Sequence, residues 1–193
     1  MEKETLREKI KLRDRCAVLV EIAKNLASIY DSPSASETPR HYIETILGAA
    51  IWYLPTSKEL WNGKVSLRVL EDFHPASAIS KPRMTEDHEY PRKVSAIELM
   101  RRSWSAEATI DMLELYLTKY GRFSYINPTE NKVLVKHQKS HIFDNPEAAY
   151  VAAGIKLVSV SLDELKQIKK RNTAVIESCI SRAKYSCQLV KKT

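Results

Sequence analysis

The chain has 193 residues, a hydrophobic fraction of 44%, a charged fraction of 28% and a net charge of +7. Those values suit one folded domain with a real core and exclude a chain disordered throughout. Only 4 glycines occur, too few for an all-β fold rich in tight turns, and no GxGxxG or GxxxxGK[ST] pattern is present to cradle a nucleotide phosphate.

Cys16, Cys179 and Cys187 are odd in number, far apart and without a CxxC pair. They suit neither a disulfide framework nor a thiolate zinc site. No apolar run reaches bilayer length, so no membrane partner is expected. The start, MEKETLREKIKLRDR, is charged where a signal peptide is apolar, and the expected compartment is the cytoplasm.

Residues 3–30 read as one long helix, with Leu12, Cys16, Leu19, Ala23, Leu26 and Tyr30 recurring at spacings of four and three. DSPSASETPR (31–40) reads as a loop. Residues 41–54 read as a buried helix stopped by Pro55, with Thr56 and Ser57 as caps for a turn. Asn62-Gly63-Lys64 signals a turn, and 65–73 fits a helix or a strand. The three prolines of 74–93 mark a long ordered loop, a common seat of function. Helices follow at 93–104 and at 106–119, the second capped by Ser105.

RFSYI (122–126) and KVLVKH (132–137) alternate like strands around NPTEN, which predicts a β-hairpin. A short helix ends at Gly154, and 155–160 suits a strand. Ser161 caps a last helix, 162–190, with an apolar stripe from Leu162 to Val190. The expected fold is α+β and predominantly helical, with a small hairpin region near 122–137. One domain, 1–193, is expected, with a central α+β region at 41–160 between the two long terminal helices. Those helices are expected to pack together, within one chain or across a homodimer.

Charge is uneven. Residues 161–193 hold eight basic and three acidic side chains, most of the net excess. Lys169, Lys170 and Arg171 are the densest run there. Such a segment attracts phosphate backbones, or forms a solvated helix face. Arg92, Lys93, Arg101 and Arg102 form a second basic group able to hold phosphates. Trp52, Trp61 and Trp104 read as core anchors.

The stretch Thr85-Glu86-Asp87-His88-Glu89-Tyr90-Pro91-Arg92-Lys93 carries the most specific signal. Its Asp-His-x-x-Pro order resembles the first signature of the HNH (ββα-metal) endonucleases. The resemblance implies a Mg²⁺-type phosphodiesterase. His88 would be the general base and Asp87 a metal ligand, Asn127 or Asn131 the orienting amide, and His137 or His141 the completion of the metal shell. A divalent ion beside a scissile phosphate stabilises developing charge, and an imidazole removes a proton near neutral pH. A vaguer likeness links Asp87 to Lys93, Thr129 to Asn131 and Ala153 to Ile155 with small uncharacterised bacterial and phage proteins. Together these imply a defence, counter-defence or mobile-element setting.

Other readings fit the same residues. Glu86 or Asp87 can cap a helix starting near Pro91, with His88 bonded to a neighbouring carboxylate. Two helices and a hairpin over 93–137 have the order of a winged helix, with Lys132, Lys136, His137 and Lys139 as wing contacts to phosphate. The third alternative is a protein-interaction module, with a helical partner on the terminal helices.

Overall fold

The computed structural model describes residues 2–32, 37–55 and 58–190, with side chains described from 10 to 184 within those ranges. Among the described residues are nine α-helices and one four-stranded sheet, so the chain is α+β and predominantly helical. In chain order the elements are α1 (Glu2–Tyr30), α2 (Glu37–Trp52), β1 (Trp61–Ser66), α3 (Leu67–Phe73), β2 (Thr85–His88), α4 (Arg92–Met100) and α5 (Ala108–Leu115). There follow β3 (Phe123–Ile126), α6 (Pro128–His137), α7 (Pro146–Ala152), β4 (Leu157–Ser159), α8 (Leu162–Lys169) and α9 (Thr173–Val190). They fall into two compact units, one of Met1–Leu60, His88–Arg122 and Lys139–His141, the other of Trp61–Asp87, Phe123–Gln138 and Ile142–Thr193.

In the first unit, α1 buries Leu12, Cys16, Leu19, Ala23 and Tyr30, the stripe its spacing predicts, against α2, α4 and α5. Burial pushes the Cys16 thiol up to about 11, an unreactive packing cysteine. Helix α2 starts at Glu37, inside the segment expected to be a loop. Glu37 suits the positive end of the helix dipole, and Pro39 costs nothing in a first turn whose N–H groups have no helical partner. Of that loop, 33–36 lie outside the described residues, as do Thr56 and Ser57. Only one side of α2 is buried, through Ile43, Leu47, Gly48 and Ile51, while Tyr42, Ile46, Trp52 and Tyr53 are exposed.

Gly48 sets how closely α4 approaches. A Cβ there would lie 3.0 Å from the Arg92 carbonyl oxygen and 3.2 Å from the Arg92 Cβ. The Gly48→Val variant is therefore expected to lose about 1–3 kcal/mol through overpacking. A urea unfolding midpoint equal to wild type would contradict that close approach.

The second unit is built on the sheet, in the order β2-β3-β1-β4. Strand β1 runs parallel to β3 and antiparallel to β4, with Val65 opposite Tyr125 and Val158. The predicted turn at 62–64 lies within β1, where the register with β3 shifts. Gly63 takes φ 79° and Asn62 Oδ1 accepts the Lys64 N–H at 2.9 Å. Val65, Val69, Leu70, Val158, Ile168 and Ile176 form the core beneath.

The second strand of the expected hairpin is helix α6. Asn127 and Glu130 form a reciprocal capping box with Pro128 in the first turn, and three helix-start signals outweigh a short apolar alternation. The wing of a winged helix is thereby lost. Strand β2 lies in the stretch expected to be a loop. Ser105 does not cap α5. Its hydroxyl accepts from the Glu107 N–H and donates to Asp111.

The last helix is two, α8 and α9, broken at Lys170–Asn172, where Arg171 takes φ 60°. Asn172 accepts the Val175 N–H and restarts the helix. Helix α1 packs within its own unit as above, and α9 packs on α3, α8 and β4 within its own. Among the described residues no helix is long and apolar enough to cross a membrane.

Candidate functional site

Asp87 and His88 are neighbours on β2, and strand alternation sends consecutive side chains to opposite faces. Their partners differ accordingly. Asp87 is only 5% exposed. Its carboxylate accepts from the Tyr150 hydroxyl at 2.5 Å and from the Gln138 amide at 3.3 Å. The structure thus explains Asp87 through core groups of the second unit rather than through a helix cap, since α4 begins after Pro91 with no side-chain cap.

His88 belongs to the first unit. Its ring lies 4.7 Å from the Trp52 ring, tilted by 58°, and the Arg92 guanidinium stands 3.3 Å above the Trp52 ring centroid. Trp52, expected in the core, is 41% exposed. Burial, then the Arg92 charge, lower the His88 pKa below its ordinary 6.5, against a hydrogen bond to the Tyr120 main chain that raises it. Tyr120 is anchored in turn. Its hydroxyl donates to Glu98 at 2.8 Å, beside the Lys119 ammonium at 2.7 Å from the same oxygen.

A lowered histidine pKa has a consequence for stability. The unfolded chain takes the proton first as pH falls, so stability is lost below about 6.5. His88→Gln removes that contribution. Its melting temperature is expected to fall less than wild type between about pH 7.5 and 5.5, and equal falls would contradict the shift.

The remaining predicted residues are dispersed. Lys93 joins Arg92 in the first turn of α4, whereas Arg101 and Arg102 lie exposed just beyond its end. Asn127 donates to the buried Asp72 carboxylate, which also takes Arg68 Nε at 3.1 Å. Its role as cap and as tether of Asp72 accounts for that amide. Asn131 lies in the next turn, half-buried, Lys132 and Lys136 are exposed, and His137 sits in the last turn. His141 is exposed.

Lys169 and Lys170 are exposed at the end of α8, with the Lys169 ammonium 5.0 Å from the Tyr125 ring. Arg171 is used internally, donating to the His74 and Ser80 carbonyls at 3.3 Å. Among the described residues no group of three or more His, Cys, Asp or Glu side chains is placed to hold a metal ion.

The basic and aromatic side chains that do come together are Trp52, His88, Arg92 and Lys93, on the α2–α4 side of the first unit. The sequence signals the last three. It does not signal Trp52, because a tryptophan beside a run of apolar residues carries no mark of which way it points. Lys93 is further tied to α2, with its ammonium 2.7 Å from His41 Nδ1 and 3.2 Å from Glu44 Oε2. Glu44 also accepts the Tyr30 hydroxyl at 2.9 Å. Arg40 closes the group by donating to the Tyr30 carbonyl at 2.9 Å. No family model matches the chain, and neither a curated protein nor a solved structure matches it.

Proposed function

We propose that the chain binds nucleic acid through this α2–α4 surface, with Trp52 as the base-stacking side chain and Arg92 and Lys93 as phosphate contacts. The observation that supports the reading is the Arg92 guanidinium 3.3 Å above a ring that is 41% exposed. A guanidinium stacked on an indole is held in one orientation while its N–H groups stay available to phosphate. The open part of the ring accepts an unpaired base, and stacking of that kind tolerates any sequence. The net charge of +7 adds long-range attraction.

The test is fluorescence anisotropy with labelled single-stranded DNA and RNA over a salt series. Arg92→Ala is expected to weaken binding and to make its salt dependence less steep by about 0.7 in the log–log slope, the value of one lost phosphate contact. Equal binding by wild type and Arg92→Ala counts against the surface.

The narrower endonuclease reading is supported by the burial and the Arg92 charge that lower the His88 pKa, since both favour the unprotonated form a general base needs. Incubation of wild type and His88→Ala with Mg²⁺ and nucleic acid separates the two. Cutting lost in the variant supports the enzyme, and binding without cutting supports the binding protein. A protein-partner reading rests on a groove of about 480 Å³ between α1 and α2, lined by Val18, Ile22, Ala50, Tyr53 and Leu54. Val18 and Tyr53 are 58% and 76% exposed there. Concentration-dependent sedimentation abolished by Val18→Glu would favour a second copy on it.

A further inference from the structure

The geometry points to a binding site for a small zwitterion of the amino-acid type, in a cleft between α3 and α9 that shares no residue with the α2–α4 surface.

The direction of the two helices follows from contacts at their ends. His74, just after α3, has its Nε2 3.5 Å from Glu177 Oε1 on α9. At the start of α3, Leu67 donates its N–H to the Lys156 carbonyl at 2.8 Å, and the Lys156 ammonium donates to the Ala183 carbonyl. The helices therefore run antiparallel, and Arg68 and Lys184 stand at the same end of the cleft. Its volume is about 610 Å³, within the range of small-molecule sites.

Arg68 is fixed from below. An ion pair on an open helix face holds its members loosely, but Asp72 is only 3% exposed. Its Oδ1 takes Arg68 Nε at 3.1 Å and its Oδ2 takes the Asn127 amide. The guanidinium is half-exposed, and its terminal N–H groups remain for a ligand. Lys184 and Glu71 are exposed and, among the described residues, have no ion-pair partner. The loop wall of the cleft is held as well. Arg171, left-handed at φ 60°, donates to the His74 and Ser80 carbonyls at 3.3 Å, and Ala76 and Ser77 between them line the cleft.

Charge then selects the ligand. Arg68 and Lys184 at one end attract an anionic group. Glu71, the i+3 neighbour of Arg68 on α3, repels a second one, and Asp72 and Glu177 add negative charge to the same lining. A nucleic-acid backbone, charged at every residue, is thereby disfavoured. A ligand with its carboxylate on Arg68 and Lys184 and its ammonium on Glu71 meets both signs at once. Ala76 and Ile180 give its stem apolar contact.

The test uses the intact chain and three probes of one shape: leucine, isocaproate, which lacks the amine, and isoamylamine, which lacks the carboxylate. Backbone amide shifts are followed by NMR as each is added at neutral pH. Leucine is expected to move the amides of 67–77 and 177–184 saturably. It is expected to bind about fivefold more tightly than either partial analogue, the upper worth of one exposed ion pair. Two substitutions at exposed positions split the recognition without touching the core. Glu71→Gln is expected to bind leucine and isocaproate alike, and Lys184→Ala to narrow the gap between leucine and isoamylamine. Equal affinity for all three probes, which marks apolar binding alone, overturns the proposal. So does an absence of leucine-induced shifts in 67–77 and 177–184, or an unchanged preference for leucine over isocaproate in Glu71→Gln.

Discussion

Asp87→Ala is expected to lower the unfolding free energy by about 3 kcal/mol, and Asp87→Asn by about 1 kcal/mol. The carboxylate is buried at 5% exposure and accepts from two side chains of its own unit, Tyr150 at 2.5 Å and Gln138 at 3.3 Å. Tyr150 is itself buried, at 4%. Removing the acceptor leaves a phenol hydroxyl in the core with its main partner gone, and an unmatched buried donor costs about 1–3 kcal/mol before packing losses. Asparagine restores an acceptor oxygen at nearly the same place, and the Gln138 amide can turn its own oxygen toward the new NH₂ group. Urea unfolding of the three proteins measures the series. An alanine variant as stable as wild type would mean that those donors do not anchor Asp87, which would leave its carboxylate available for the metal-ligand role the HNH resemblance implies.

Trp52→Ala is expected to weaken single-strand binding by about tenfold while changing stability little. One aromatic–base stack is worth about 1–3 kcal/mol, which spans five- to over a hundredfold in affinity. The ring lies at the end of α2 and is 41% exposed, so its loss opens no closed cavity. It also frees the Arg92 side chain from its 3.3 Å stacking position and returns the rotamer freedom that stacking had removed. Trp52→Phe keeps a smaller ring and is expected to fall between. Arg92→Lys keeps the charge but loses the planar group, so it should retain the salt dependence and lose affinity. Anisotropy reads all three.

What was legible in the sequence divides along physical lines. The long helix α1 could be read because six apolar positions repeat at helical spacing, and five of them are buried. The last helix could be read for the same reason, but not its break, because Lys170-Arg171-Asn172 contains neither glycine nor proline. Arg171 takes a left-handed conformation at a cost of order 1 kcal/mol and is held there by its bonds to two carbonyls. The segment 132–137 alternates like a strand, yet only Leu134 is fully buried. Alternation over six residues cannot outweigh the capping box that Asn127 and Glu130 form just before it.

The candidate site shows the same division. Asp87 and His88 were visible as a pair because they are adjacent, and adjacency on a strand is what separates them. A sequence motif records spacing along the chain, not the face each side chain takes. Arg92 and Lys93 were visible as charges. Their partners Trp52 and His41 come from a helix some forty to fifty residues earlier, and no periodicity within either segment links them.

The surface assignment turns on Trp52 touching the ligand, and its own fluorescence reports that contact most directly. Intrinsic emission is followed while a short single-stranded oligonucleotide is added at low salt to wild type and to Trp52→Phe. Saturable quenching in wild type, reversed by added salt and absent from Trp52→Phe, is the predicted result. Binding by anisotropy with the same quenching in both proteins, or with none in either, would contradict the account.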